Sequence, residues 1–165
     1  RRARGAPIPP FSASPRDALA LAAVFLLAAL AEEAGWTGYA LDPLIARWGP
    51  RRAGLLLGMI WAAWHLIPYR QAGRARGWIA WQCLKTVASR VLMVWLYTRT
   101  NRSVVTSVLF HASDNLSTFL FPQFGSHYDP KLTALALIGI AAALDAPHAI
   151  FDIYAASSQI SWSGS

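Results

Sequence analysis

The chain has 165 residues, of which 55% are hydrophobic and only 14% charged, against roughly 25% charged in an ordinary soluble domain. That length fits one domain, and the composition excludes a disordered chain, a collagen-like chain and, with Cys83 as the lone cysteine, a disulfide scaffold. The net charge of +7 comes almost entirely from arginines that fall in gaps between apolar stretches, which is how membrane proteins place charge and which argues against a nucleic-acid partner.

In chain order, residues 1–17 read as a basic, Pro-rich tail. The first apolar run, from about Ala18 to Ala40, predicts a membrane-length helix with Asp17 as its N-cap behind Pro15 and a stop at Asp42-Pro43. It is too long for a signal peptide and lacks a small-residue cleavage site, so it reads as retained. A second helix from about Ala53 to Tyr69 opens behind Arg51 and Arg52, meets Pro68 near its end, and just spans a hydrocarbon core of roughly 30 Å. The third, from about Trp78 to Thr98, carries Lys85 and Arg90 in its interior, so one face must meet protein or water. The fourth runs from about Ser103 to Phe121, ahead of Pro122. The fifth, Leu132 to Leu144, is shorter and Ala-rich: a span, a packing helix or an interfacial piece. Residues 147–165 read as a juxtamembrane segment and polar tail. The expected fold is all-α, a polytopic transmembrane bundle of about four to five helices over residues 18–146. Trp48, Tyr69, Trp78 and Tyr97, near helix ends, read as interfacial aromatic belts.

Ionisable groups inside a bilayer cost a few kcal/mol each and are functional by default. The chain's two glutamates, Glu32 and Glu33, lie on the first helix, His65 on the second, and His111 with Asp114 and Asn115 on the fourth. Counted at 1.5 Å per residue from a shared side, Glu32, His65 and His111 lie roughly 12, 18 and 12 Å deep, which fits one polar layer. His111 and Asn115, four apart, share a helix face. Together they offer donors for a developing oxyanion or ligands for a cation. Glu32 can take a proton from water as general base, and His65 can share or orient that proton. An HExxH zinc motif is absent, so any metal site would be assembled across helices from Glu32, His65 and His111.

Three segments together carry a family resemblance: EEAGWTGYALDPL from Glu32, WAAWH from Trp61, and VWLYTRTNRSVVTSVLFHASDN from Val94 to Asn115. A glutamate pair followed by aromatic and Gly residues, an aromatic four before a His, and a His four before an Asn occur in the order found in the type II CAAX prenyl endopeptidase and bacteriocin-processing (CPBP, Abi-type) family. The chain resembles these intramembrane metalloproteases from about Ala31 to Leu116. The resemblance implies a membrane-embedded endopeptidase of a bacterial cell membrane, acting on a membrane-associated protein or peptide, with a divalent metal such as zinc as a candidate cofactor. It matches Glu32 to the water-activating glutamate, Glu33 to its partner, His65 to the second-motif histidine, and His111 with Asn115 to the third pair. The family often has Arg five positions after the first Glu, where this chain has Thr37. Arg90 is the expected source of the missing cation. Two other readings stand beside the enzyme: a catalytically inactive interaction or bacteriocin-immunity protein on the same scaffold, which Thr37 favours, and a proton-coupled transporter segment.

Overall fold

The computed structural model describes residues 13–120, 125 and 127–144, and every regular element among them is helical. Most of the expected N-terminal tail and all of 147–165 lie outside the described residues. Helix α1 spans Pro15–Gly35. Its N-cap is Ser14, whose hydroxyl accepts the Asp17 amide at 3.1 Å, with Pro15 in the first turn where its missing N–H costs nothing. Asp17, expected as the cap, lies one turn inside.

The chain does not stop at Asp42-Pro43. It passes through a π-helical turn, Trp36–Ala40, into α2, Leu41–Gln71, where Pro43 falls in the first turn and removes no needed donor. The break comes later, at Gly49, whose φ of 75° and ψ of 164° glycine adopts without the steric cost other residues meet. Pro50 then starts the second helical piece, the one expected from about residue 53. Helix α3 spans Arg76–Arg99, α4 Val104–Leu120, and the shorter α5 Pro130–Leu144.

The polarity of this bundle is inverted relative to a soluble domain. Leu19, Leu27, Trp64, Ile67 and Val105 are all more than 60% exposed, whereas Arg90, Glu33, Thr37, Ser89 and Ser107 are among its largest fully buried side chains. Apolar outside and polar inside is what lipid as solvent demands. Among the described residues, the helical stretch Pro15–Gln71 alone has the length and hydropathy of a span. Helix α3 is long enough, at about 36 Å, but Gln82, Lys85, Thr86, Ser89 and Arg90 interrupt it. All five are buried within the bundle, as the expected inward face requires.

The tightest seam joins α2 to α3. Gly54 and Gly58 form a two-step groove in which a Cβ added at Gly58 would lie 2.9 Å from the Val87 Cα and 3.2 Å from the Arg90 Cβ. Small residues four apart let two backbones approach this closely in a membrane. Leu41, Ala53, Leu57, Val94 and Tyr97 complete that seam, while Ala29, Val108 and Ala112 pack α1 on α4. Tyr97 is therefore core rather than part of an aromatic belt, 4% exposed with its hydroxyl donating to Asp42 at 3.1 Å. Ahead of α5, Tyr128 donates to the Gln82 side chain at 2.7 Å and ties the α4–α5 connection to α3. Burial pushes the Tyr128 phenol up, so it keeps the proton it donates.

Candidate active site

Glu33 sits at 0% exposure in the last turn of α1, and a carboxylate there requires partners. It has four donors. Arg90 of α3 gives Nη1 to Oε2 at 2.7 Å and Nη2 to Oε1 at 2.9 Å, the paired geometry of a guanidinium on a carboxylate. Thr37, one turn along in the π segment, donates its hydroxyl to Oε2 at 2.5 Å, and His111 of α4 gives Nδ1 to Oε1 at 3.0 Å. Because an arginine-bound carboxylate only accepts, the His111 proton is on Nδ1 and its Nε2 is the atom left for other work. The Arg90 guanidinium faces Glu33 at 0% exposure, the place the sequence suggested for the cation absent at Thr37.

Glu32, half-buried, turns instead toward α2. Its Oε2 accepts the Trp61 indole N–H at 3.1 Å. Trp61 is 5% exposed and touches the other members of the layer. Its ring is edge-on to His111 at 4.8 Å and to His65 at 5.8 Å between centroids, and the Arg90 Cζ lies 4.4 Å from its ring centre. Its carbonyl accepts Nδ1 of His65 at 2.9 Å, which leaves the His65 Nε2 as the free nitrogen. Tyr69, one further turn down α2, stacks on the other side of His65 at 5.6 Å. Residues from α1, α2 and α4 thus meet around one indole, in keeping with the single polar layer expected for Glu32, His65 and His111.

The model of the family "Type II CAAX prenyl endopeptidase Rce1-like" matches residues 14–117. The chain belongs to that family. A curated relative, "CAAX prenyl protease 2" of Methanococcus maripaludis, is 28% identical over 102 residues, which are 57% of this chain and 38% of the relative. The chain thus spans well under half the length of the curated relative it matches. No solved structure matches it.

The other family positions are placed less tightly. Asn115 lies one turn from His111 on α4, half-buried, and its side chain makes no hydrogen bond to another described residue. Asp114 is not interchangeable with it, being paired with the Lys85 ammonium of α3. That pair also answers how Lys85 is tolerated inside the bundle.

The metal expectation meets a different geometry. Among the described residues no three His, Cys, Asp or Glu side chains converge on a point that could hold an ion. Glu32 Oε1 and the Nε2 atoms of His65 and His111 are open, since Trp61 holds Oε2 and each Nδ1 is bonded to protein, so what the set lacks is convergence rather than donor atoms. A set made of Glu32, His65 and His111 does not converge as a three-ligand site.

Trp61 and Thr37 are the site-forming residues to which sequence reasoning assigned no role in this Rce1-like chain. Trp61 had a signal: four residues before His65, it shares that histidine's helix face. Thr37, four after Glu33, had the same one.

Proposed function

We propose that this chain carries the catalytic core of an intramembrane endopeptidase in which Glu32 activates the attacking water. The observation that carries the reading is the meeting of Glu32, His65 and His111 around Trp61 in a bundle that is apolar outside. Glu32 keeps Oε1 for a water, because its one hydrogen bond engages Oε2. The carboxylate takes a proton as the water oxygen bonds to the peptide carbonyl carbon. His111 Nε2 and the Asn115 carboxamide hydrogen-bond the oxyanion that forms. With Nδ1–H already given to Glu33, Nε2 is the ring atom that faces the oxyanion, and it donates in the doubly protonated form of the ring. Nε2 of neutral His65 takes the water proton from Glu32 and gives it to the leaving amine as the carbonyl re-forms and the C–N bond breaks, which returns Glu32 to its carboxylate. Glu33 and Arg90 hold the frame and do no chemistry.

Family membership and the curated relative's name point to peptides ending in a prenylated CAAX-type sequence as the first substrates to try and to a membrane as the setting, with peptide maturation as the second class. The inactive immunity-type alternative loses its main support, since Thr37 donates to Glu33 and Arg90 supplies the cation. The test is hydrolysis of a farnesylated CAAX-type peptide and its unprenylated counterpart by the full-length protein in micelles, comparing wild type with Glu32→Gln and His111→Ala. Turnover by wild type and a loss of about 100-fold or more in each variant are expected. Equal turnover in all three removes the mechanism.

A further inference from the structure

The two adjacent glutamates are treated in opposite ways. Glu33 is saturated by four donors, one cation among them, whereas Glu32 receives a single donor, the neutral N–H of Trp61. A carboxylate that must take a proton from water needs an oxygen left open, and it needs its plane fixed so that the open oxygen points at the water. One N–H on Oε2 does both. A second donor would weaken the base, and none would leave the side chain free to rotate.

The indole is also placed to do this. Arg90 lies over its face, and a cation there draws electron density from the ring and strengthens the N–H as a donor. His65 is fixed through the same residue's backbone carbonyl, and His111 packs on the ring edge. A phenylalanine would fill the same space and supply the same edges but would have no proton to give.

We infer that Trp61 is a positioning residue for Glu32: its indole N–H, polarised by Arg90, orients the carboxylate while leaving one oxygen open to water. The inference rests on the reading of Glu32 as the water-activating base. Trp61 touches neither water nor substrate in this scheme and acts only through Glu32.

The decisive variant is Trp61→Phe, which keeps the ring and removes the N–H. The chain has only two glutamates, so carboxyl-13C glutamate labelling yields two signals, assigned by Glu32→Gln and Glu33→Gln. In Trp61→Phe the Glu32 signal moves and the Glu33 signal stays. On the farnesylated CAAX-type peptide, kcat falls roughly tenfold while KM stays within about twofold, the pattern of a group acting in the transition state. A reciprocal measurement guards against a misfolded variant: in Glu32→Ala, one of the eight indole 15N–1H signals, that of Trp61, moves to the position of an unbonded indole. An unmoved Glu32 signal in folded Trp61→Phe, an unmoved Trp61 indole signal in Glu32→Ala, or an unchanged kcat in an active enzyme overturns the inference. A wild type that cleaves nothing, with both signals moving as stated, instead removes the enzyme reading and leaves the Trp61–Glu32 bond standing.

Discussion

Removing the Arg90 guanidinium tests whether the frame around Glu33 is held by charge. Arg90→Met keeps a long apolar stem in the α2–α3 seam but withdraws two charge-assisted hydrogen bonds, at 2.7 and 2.9 Å, from a carboxylate at 0% exposure. Each such bond contributes about 1.5–3 kcal/mol, and leaving a buried charge without its partner costs about 3–5 kcal/mol. Thr37 and His111 still donate to Glu33, so the lower end, about 3 kcal/mol, is expected. Neutralising both partners in Glu33→Gln/Arg90→Met should cost far less, about 1 kcal/mol, because no buried charge is stranded. A third variant, Thr37→Arg/Arg90→Met, returns a cation from the neighbouring turn of the helical run that carries Glu33 and should recover at least about half of the loss. Equilibrium unfolding in mixed micelles, followed by helical circular dichroism, measures all three. If Arg90→Met lies within about 0.5 kcal/mol of wild type, or the double neutral variant is as unstable as the single, the ion pair does not hold the frame.

The α2–α3 seam makes its own prediction. Gly58→Ala places a Cβ 2.9 Å from the Val87 backbone and should lower stability by about 1–3 kcal/mol, whereas Gly77→Ala, with nothing within 4 Å, should raise it by about 0.5–1 kcal/mol in the same unfolding assay. Lys85→Met and Asp114→Asn should each destabilise by about 3 kcal/mol or more and the double variant by much less. Because Asp114 lies between His111 and Asn115 on α4, turnover of the CAAX-type peptide should fall with each single change and recover in the double. Since no three His, Cys, Asp or Glu side chains converge among the described residues, a strong chelator should leave turnover within about twofold of the untreated enzyme, as expected of a carboxylate acting as base on unligated water.

The helices were legible from the apolar runs because lipid imposes one rule on every span, while the joints between them were not. Asp42-Pro43 reads as a stop only if a proline always ends a helix, and in the first turn it does not. The true break, Gly49, carries no apolar pattern and declares itself only through its φ. The inward face of α3 was legible, since Lys85 and Arg90 have nowhere else to go, and the partner of Arg90 followed from the gap at Thr37. The partner of Lys85 did not, because Asp114 reads in the sequence only as one of the polar groups on the fourth helix with His111 and Asn115. Tyr97 was misread for a related reason: an aromatic near a helix end suits an interface and a core equally, and only the fold places Asp42 beside its hydroxyl. The shared layer of Glu32, His65 and His111 could be counted along three helices. The indole that joins them could not, because contact across helices depends on crossing angle and rotation.

The buried charges of α3 also bear on how the protein enters a membrane. Each cation at a helix centre costs about 2.5–3.5 kcal/mol on insertion, so α3 alone would carry roughly 5–7 kcal/mol against it. Its two counter-ions lie on opposite sides in synthesis order: Glu33 emerges 57 residues before Arg90, and Asp114 emerges 29 residues after Lys85. The third helix is thus not a self-sufficient insertion unit. It needs α1 already waiting beside the translocon and α4 to arrive before its second charge is neutralised, so a nascent chain arrested between α3 and α4 would leave α3 able to slip back into water.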